Sequence, residues 1–453
     1  MSSREPSSFR DPDGHIFWDN GDIYRQVNES YRKDYEHLIE SGLYDELVRK
    51  DLMVEHTEQE SGDEFKLLEP EKIDFISYPY EWSFSQLKDA ALLTLRIQKI
   101  AAKHGMTLKD ASAYNVQFQD GKPVFIDTLS FEKKDSGLWN GYRQFCKHFL
   151  APLSLMAYTD ERLSSMMQTD VDGIPVDLAS KLLPKRTKLR LGLLIHIHLH
   201  ARFQDRHADT EESEEREISE LMAESIIKNL ETTVEKLKWN PEGTEWSDYY
   251  ERTHNYTEEG FEHKEKLVEE YTSKTNPDKI WDFGANTGHF SRIAADTADT
   301  LTVSFDIDPA AVEQNYRKLR DENRENILPL TQDLTNPSPG IGWRNTERKK
   351  IADRSSPDLG IALALVHHLA ISNNLPLQKI AEFFGDNCEK LIIEFVPKED
   401  SNAQRLLASR EDIFDEYRRE NFEEEFKEYF NISEKEKIKD SKRTLYLMRS
   451  RQK

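Results

Sequence analysis

The chain has 453 residues, with 62 Lys and Arg against 85 Asp and Glu, and a formal net charge of −23. This length suits two or three domains, and the negative charge disfavours non-specific nucleic-acid binding because an acidic protein repels a phosphate backbone. Two cysteines, Cys146 and Cys388, exclude a disulfide framework and a zinc site of several thiolates. No apolar run reaches the ~18–20 residues that span a bilayer, and no signal peptide is recognisable. We therefore expect a cytoplasmic protein without a membrane span.

The first 160 residues mix helical and strand patterns. Residues 82–102 carry apolar side chains at near-3.6 spacing, which predicts a buried helix. Residues 116–118 and 124–126 have the pattern of short strands, and Asp120-Gly121 between them favours a hairpin turn. This part of the chain is expected to be an α+β module.

A polar motif surrounds that hairpin. Asp110 is followed by Asn115 and, at the end of the second strand, by Asp127. The motif resembles the site of kinase-like small-molecule phosphotransferases, in which Asp110 would orient a hydroxyl while Asn115 and Asp127 would hold Mg²⁺ near phosphates. The resemblance covers residues 104–131 only, Leu108 stands where that family has His, and no Gly-rich phosphate loop precedes it. We favour a kinase-like fold that has become structural or substrate-binding over an active phosphotransferase.

Residues 161–240 have a helical pattern. Within them, His196, His198 and His200 alternate with apolar residues. On a strand the three imidazoles would share a face and suit a transition metal, whereas a helix would bring only two together. The flanking periodicity favours a helix with partly buried histidines, so we expect no metal site. The acidic stretch 209–217 is predicted to be a solvated loop or linker.

From residue 279 onward, strand-like and helix-like segments alternate. Alternation over ~150 residues is typical of an α/β architecture with an open, doubly wound parallel sheet. The apolar strand of residues 280–283 is followed by the turn GANTG at residues 284–288 and then by a helical pattern. A Gly-rich turn at the carboxyl end of such a strand lets a ligand approach the backbone closely. Asn at the middle position tolerates the left-handed backbone conformation.

Acidic residues follow the next two strands. Asp306 ends the second strand, where an acid can accept hydrogen bonds from both ribose hydroxyls of a nucleoside. Asp333 follows the third strand and is a candidate acceptor for an adenine amine. Asp308 is the rival for the ribose, but Asp308-Pro309 has the pattern of a helix cap followed by proline at the first helical position. We assign the ribose to Asp306 and the cap to Asp308.

These motifs, with the strand pattern at residues 359–366, resemble in order and spacing those of class I S-adenosylmethionine-dependent methyltransferases. The resemblance covers about residues 245–450 and implies a Rossmann-like fold, S-adenosyl-L-methionine as cofactor, and methyl transfer. It also implies that the turn packs on the methionine part of the cofactor, while Asp333 and Leu334 flank adenine. Asn286 departs from the family's usual middle glycine, and a phosphate-bearing dinucleotide is the rival cofactor. The cofactor-binding residues implied are Asp282, Gly284, Ala285, Asn286, Gly288, Asp306, Asp333 and Leu334.

The sequence does not identify the methyl acceptor. His367 and His368 follow the fourth strand and are candidates for a general base; the alternative is a backbone hydrogen bond at a strand end and a helix start. The Asn/Asp-Pro-Pro-aromatic box of amino-group methylating relatives is missing, which weakens a base- or glutamine-methylating interpretation. Glu394, the aromatic residues at 246–250 and Tyr256 are further candidates, with loop bonding or core packing as their alternatives.

The chain is also similar to a family of large bacterial proteins described as methyltransferases and related to a nodulation protein. That similarity is carried by residues 78–95, 110–118 and 393–414. The predicted function is transfer of a methyl group from S-adenosyl-L-methionine to an unidentified acceptor; the alternatives are an N-terminal phosphotransferase and a non-catalytic cofactor-binding protein. The predicted domains are a kinase-like α+β module at 1–160, a helical linker segment at 161–240 and a methyltransferase domain at 241–453.

Overall fold

A computed structural model describes six stretches of the chain, which are residues 3–59, 65–134, 139–200, 220–241, 256–408 and 410–451. The chain divides into two compact units. The first unit comprises residues 1–240 and 340–349, and the second comprises residues 241–339 and 350–453. Among the described residues, no helix is long and apolar enough to cross a membrane. The predicted aromatic candidates at 246–250 and the acidic stretch at 209–217 lie outside the described residues.

Among the residues that the structure describes, the first unit contains nine strands. They are β1 Ser3–Arg4, β2 Gly14–Asp19, β3 Asp22–Asn28, β4 His56–Glu58, β5 Phe65–Pro70, β6 Met106–Leu108, β7 Val116–Gln119, β8 Lys122–Phe125 and β9 Phe131–Lys133. Five of them form an antiparallel sheet in the order β1-β2-β3-β5-β4, and the pairs β6–β9 and β7–β8 form two small sheets. The hairpin predicted at Asp120-Gly121 is confirmed, because both residues have positive φ angles, of 49° and 69°.

Several helices of the first unit lie in the segment 161–240 that was predicted to be a linker. Their bounds are α1 Arg32–Glu40, α2 Leu43–Arg49, α3 Phe84–Lys103, α4 Tyr142–Phe145, α5 Ala151–Tyr158, α6 Met166–Thr169, α7 Val176–Leu182, α8 Leu191–Leu193 and α9 Glu220–Lys236. The buried helix predicted at residues 82–102 is confirmed as α3. Helix α9 packs on α3, and Lys88 Nζ of α3 donates to the carbonyl oxygens of Glu235 and Leu237, each at 2.8 Å. These contacts place α9 within the first unit.

The three alternating histidines lie on a helical segment, as predicted. Two of them belong to the π-helical turn Leu194–Leu199. His196 hydrogen-bonds Tyr142 and Asn229 at 2.8 and 2.9 Å, while His198 hydrogen-bonds Ser180 and Thr187 at 2.8 and 2.9 Å. The rings of His196 and His198 are therefore satisfied by protein groups, whereas Nδ1 of His200 has no hydrogen-bond partner among the described residues. In the part of the chain that the structure describes, no group of three or more His, Cys, Asp or Glu side chains is placed to hold a metal ion.

The second unit contains one seven-stranded sheet. Its strands are β10 Ile280–Phe283, β11 Thr302–Asp306, β12 Ile327–Thr331, β13 Leu359–Ala362, β14 Lys390–Phe395, β15 Phe430–Lys437 and β16 Thr444–Ser450. The spatial order is β12-β11-β10-β13-β14-β16-β15, and the first five of these strands are parallel. That order of five is the Rossmann order, extended by an antiparallel hairpin instead of a sixth parallel strand. The predicted doubly wound Rossmann-like sheet is therefore confirmed.

Helices cover both faces of this sheet. They are α10 Glu258–Thr275, α11 His289–Ala298, α12 Pro309–Asp321, α13 Ile351–Arg354, α14 Leu377–Asn387, α15 Ser401–Leu407 and α16 Arg419–Tyr429. On one face, Leu267 and Val268 of α10 and Phe290 of α11 join the core cluster with strand residues. On the other, Phe384 of α14 packs against Phe283, with ring centroids 5.4 Å apart. The sheet is thus buried on both faces, as a parallel sheet requires.

One local prediction was wrong. The charge-rich sequence of residues 411–439 predicts the solvated face of a helix, and the apolar residues at 443–448 after it predict a final sheet strand. Only the middle of the charged stretch is helical, in α16. Residues Phe430–Lys437 instead form the edge strand β15, which pairs with β16. Its first half alternates between buried or half-buried and exposed residues, the pattern of a strand with one face on the core. The partner strand β16 confirms the predicted final strand.

Candidate functional site

A cavity of about 400 Å³ opens at the carboxyl ends of the parallel strands in the second unit. Strand β10 lies between β11 and β13, so the order in which successive strands are added to the sheet reverses at β10. Ligands of open α/β sheets bind at such a topological switch point. The lining residues come from the ends of four strands and from α10 and α15. They are Tyr256, Lys264, Gly284, Asn286, Asp306, Ile307, Gln332, Asp333, Leu334, Thr335, Leu363, Ala364, Leu365, His368, Leu369, Ser372, Asn373 and Leu406.

The GANTG turn forms one wall of the cavity and has a left-handed backbone at three positions. The φ angles of Gly284, Asn286 and Gly288 are 77°, 53° and 77°. Asparagine at the middle position therefore takes the conformation that the sequence analysis attributed to it. The side-chain oxygen of Asn286 accepts a hydrogen bond from the Thr287 N–H at 2.8 Å, which closes the turn locally.

Asp306 is held at the cavity wall by backbone amides. Its two carboxylate oxygens accept hydrogen bonds from the N–H groups of Asn286 and Asp308, at 2.7 and 2.9 Å. Burial raises the pKa of Asp306 to about 6, against the lowering effect of those amide donors. The Asp308 carboxylate accepts from the Ala310 N–H at 2.9 Å and caps α12, as predicted. Each Asp306 oxygen keeps a second lone pair for a ligand hydroxyl.

The opposite wall combines an acid with apolar side chains. One carboxylate oxygen of Asp333 accepts from the backbone N–H and the hydroxyl of Thr335, at 2.8 and 2.7 Å. Ile307 and Leu334 lie on the cavity wall as well, and Ile307 is 57% exposed. An exposed isoleucine next to a hydrogen-bonded carboxylate offers an apolar face and an acceptor to a flat polar ring.

The predicted cofactor residues divide into two groups. Gly284, Asn286, Asp306, Asp333 and Leu334 line the cavity. The other three lie behind the wall and are not among the lining residues. Asp282 is buried and accepts from Ser291 Oγ at 2.6 Å, and burial raises its pKa to about 7. Ala285 is buried, and Gly288 is the N-cap residue that precedes helix α11. Their placement suits support of the turn more than contact with a ligand.

The two candidate catalytic histidines differ in position. His368 lines the cavity, and burial, then Arg405 and Arg443, lower its pKa to about 4. His367 is 1% exposed, does not line the cavity, and has no hydrogen-bond partner for either ring nitrogen among the described residues. Strand β13 ends at Ala362, earlier than the sequence pattern indicated, and a π-helical turn begins at His368. The structure therefore leaves His368 as the histidine that can reach a ligand in the cavity.

A buried ionic cluster lies behind the inner end of the cavity. Glu394, which the sequence analysis considered at the strand edge, is fully buried and binds the Lys264 ammonium at 2.7 Å and the Ala364 N–H at 2.9 Å. It also accepts a hydrogen bond from the Tyr256 hydroxyl. Burial alone would raise the pKa of Glu394, but Lys264 and then Arg443 lower it. Glu394 is therefore ionised and ties together three segments of the cavity wall.

Arg443 completes this cluster. Its Nη1 donates to Tyr256 Oη at 2.6 Å, and its guanidinium binds Asp400 at 2.7 and 3.0 Å. The sequence analysis did not single out Lys264 or Arg443. One signal was present for Lys264, because it occupies the apolar stripe of α10 that continues through Leu267 and Val268. Arg443 gives no comparable pattern, since its partners lie elsewhere in the chain.

In the first unit, the structure brings Asp110, Asn115 and Asp127 together. Asp127 accepts from Arg25 and from Ser130 Oγ, and Asn115 Nδ2 donates to Ser130 Oγ at 3.0 Å. Burial, then Asp127, raises the pKa of Asp110. Both Asp127 oxygens are thus bonded to protein groups. This pairing is consistent with a structural role, and the phosphotransferase hypothesis stays a prediction.

No protein-family model matches the chain. The chain is 34% identical over 456 residues to the nodulation protein NoeA of Rhizobium meliloti (strain 1021), covering 98% of this chain and 95% of NoeA. It belongs to the NoeA family. The alignment extends over both units, so the NoeA family shares the first unit as well as the Rossmann-like one.

Solved structures similar to this NoeA-family chain include PH0226 from Pyrococcus horikoshii OT3, at 16% identity and a TM-score of 0.33, covering 46% of this chain and 95% of that one. The N-methyltransferase NodS from Bradyrhizobium japonicum WM9 is 11% identical, with a TM-score of 0.30 and coverages of 42% and 96%. A SAM-dependent methyltransferase from Aquifex aeolicus is 15% identical, with a TM-score of 0.30 and coverages of 41% and 88%. Because all these TM-scores are low, the fold assignment rests on the strand order.

Proposed function

We propose that the second unit binds S-adenosyl-L-methionine and transfers its methyl group to an acceptor held in the same cavity. The observation that carries this proposal is Asp306, a buried carboxylate fixed by two backbone amides at the end of β11, with a lone pair on each oxygen left for ribose hydroxyls. Asp333 and Ile307 nearby supply an acceptor and an apolar face for adenine.

The charges of the cavity favour this cofactor over a dinucleotide. Among the described residues that line it, Lys264 is the single cation, and Asp306 and Asp333 are the acids. A pyrophosphate requires several N–H donors or cations at the turn, and here the Asn286 N–H already donates to Asp306. A ligand with one carboxylate and a nucleoside matches the cavity better, with the carboxylate near Lys264.

The acceptor end of the cavity is apolar except for His368 and two neutral side chains. Leu363, Leu365, Leu369 and Leu406 line it together with Ser372 and Asn373. Because its pKa is lowered to about 4, His368 is neutral at pH 7 and has the form of a base. Methyl transfer depends mainly on in-line placement of acceptor, methyl group and sulfonium. We assign His368 the role of orienting or deprotonating a neutral acceptor group such as a hydroxyl or amine.

Calorimetric titration of S-adenosyl-L-methionine into the full chain tests the cofactor. We expect binding that weakens about 10–100-fold in Asp306→Asn, since hydrogen bonds to a charged group contribute about 1.5–3 kcal/mol. Asp386→Asn removes an equal charge at an exposed position of the same unit and should bind like the wild type. No binding to the wild type would refute the proposal. ATP with Mg²⁺, titrated in parallel, would locate the site in the first unit if it bound instead.

Cofactor affinity should depend on pH. The pKa of Asp306 is raised to about 6, so the carboxylate that accepts ribose hydroxyls is ionised above that pH and protonated below it. We expect affinity to fall up to about tenfold per pH unit below pH 6 and to level off above it. The contribution of Asp306 to the stability of the free protein should have the opposite trend. It should be lost as pH rises from the ordinary value of 3.8 to about 6, because the folded state binds the extra proton in that range. Calorimetric titrations of the wild type and Asp306→Asn at several pH values measure how cofactor affinity depends on pH. An equal dependence on pH in the variant would contradict the assignment of the ribose to Asp306.

A further inference from the structure

Arg348 lies in the first unit, although the segment 340–349 that carries it is flanked in sequence by the second. Its guanidinium carbon lies over the ring of Tyr114, 4.1 Å from the ring centroid. The Nε atom of Arg348 is buried and has no hydrogen-bond partner among the described residues. The residue as a whole is half-buried, so part of its side chain or backbone remains exposed to solvent. A guanidinium stacked on an aromatic face keeps its N–H edges available for an anion.

Two further polar atoms beside Arg348 lack partners. The hydroxyl of Tyr114 and the Nδ1 atom of His148 are buried and form no hydrogen bond with any described residue. Tyr114 is 8% exposed and His148 is 2% exposed, and their ring centroids are 6.0 Å apart. Arg348 is also close enough to both rings to act on their ionisation. Buried polar atoms without partners are uncommon and indicate a ligand or ordered water.

The backbone around Arg348 is fixed by its neighbours in sequence. Glu347 is buried and forms two hydrogen bonds with Arg10, at 2.6 and 2.9 Å. The Lys349 N–H donates to the hydroxyl of Tyr78 at 2.8 Å. Glu347 is bound by Arg10 and by the Trp343 N–H. Its charge also interacts with Arg348, since burial raises the pKa of Glu347 but both Arg10 and Arg348 lower it. The guanidinium is therefore pre-positioned for a ligand.

We propose that Arg348, Tyr114 and His148 form a binding subsite for an oxyanion, a phosphate or carboxylate group of a small molecule. The guanidinium fork would donate to two oxygens, and the Tyr114 hydroxyl would donate to a third atom of the same group. Burial lowers the pKa of His148 to about 3, so its imidazole is neutral at pH 7 and adds a donor or acceptor without charge. This subsite lies in the first unit and is independent of the proposed methyl transfer.

Inorganic phosphate and malonate, titrated separately at constant ionic strength into the full chain, test the subsite by calorimetry. We expect one of them to bind the wild type, and binding to weaken about tenfold or more in Arg348→Gln, which removes the charged donors. Tyr114→Phe keeps the ring under the guanidinium and removes only the hydroxyl, so it should weaken binding less. Arg344→Gln removes the same charge at an exposed position of the same segment and should bind like the wild type.

The two anions also distinguish the source of the ligand. Tighter binding of phosphate would assign the subsite to a phosphorylated compound, and tighter binding of malonate to a carboxylate. If neither anion binds the wild type, or if Arg348→Gln binds as tightly, the proposal is wrong and ordered water satisfies these atoms. Tyr114→Phe keeps the test decisive if Arg348→Gln does not fold, because the phenyl ring preserves the packing.

Discussion

Replacing Glu394 with alanine is expected to destabilise the second unit by about 3–5 kcal/mol, because it leaves buried cations without their partner. Lys264 and Arg443 have side chains that are 3% and 0% exposed, and the wild-type cluster balances them with Glu394 and Asp400. The substitution also removes the acceptor of the Ala364 N–H. Hydrogen exchange of the full chain, followed in peptides that contain β14 and β16, measures the loss.

Two variants make this test specific. Glu434→Ala removes an acid whose partner Lys274 is exposed on the surface, and it should cost less than about 1 kcal/mol. Glu394→Gln keeps the size of the side chain and an oxygen for the Ala364 N–H, but not the charge. Its loss of stability should therefore lie between the losses in Glu434→Ala and Glu394→Ala. A loss in Glu394→Ala no larger than that in Glu434→Ala would show that the buried ion pair does not stabilise the unit.

Replacing Gly288 with alanine is expected to cost about 2–4 kcal/mol, from left-handed strain and from a displaced hydrogen bond. At φ 77° an added Cβ would lie 2.5 Å from the side-chain nitrogen and oxygen of the buried Asn315. The Nη1 atom of Arg292 donates two hydrogen bonds, one to the side-chain oxygen of Asn315 at 3.0 Å and one to the Gly288 carbonyl oxygen at 2.9 Å. Moving Asn315 therefore disturbs the contacts that hold the turn, and cofactor binding should weaken with it.

Gly42 is a matched control for this substitution. It precedes helix α2 at φ 75°, as Gly288 precedes α11 at φ 77°, but an added Cβ at Gly42 meets no atom within 4 Å. Gly42→Ala should therefore cost only the left-handed strain of about 1–2 kcal/mol. Local stability is measured by hydrogen exchange in the helix that follows each glycine. Equal costs at the two positions would show that contact with Asn315 is unimportant.

The sequence predicted the Rossmann-like unit well because its signals are local. Strand and helix periodicities need only neighbouring residues, and the helix cap at Asp308-Pro309 involves a hydrogen bond two residues away. The position of Asp306 at the cavity was predictable for a related reason. Carboxyl ends of adjacent parallel strands meet at one edge of the sheet, so a residue at a strand end is placed by the topology alone.

Orientation within the site was not predictable in this way. From the sequence, His367 and His368 were equal candidates for a general base. In the structure β13 ends at Ala362 and Ala364 has a φ of 50°, so the chain leaves the strand earlier and turns. That turn buries His367 and leaves His368 at the cavity. Which of the two histidines faces the cavity depends on how the loop packs in three dimensions, and two identical neighbouring residues carry no sequence signal that distinguishes them.

By itself the sequence determined the parallel sheet, the GANTG turn and the acids at the strand ends, because each depends on spacing within a few residues or on the order of strands. Only the tertiary structure decided that Lys264, Glu394 and Arg443 form one cluster and that Arg348 belongs to the first unit. The Lys264–Glu394 pair joins residues 130 positions apart, and the Arg443–Tyr256 hydrogen bond joins residues 187 positions apart. Partners at such separations come into contact only when the sheet and its helices pack, so no local sequence pattern predicts these contacts.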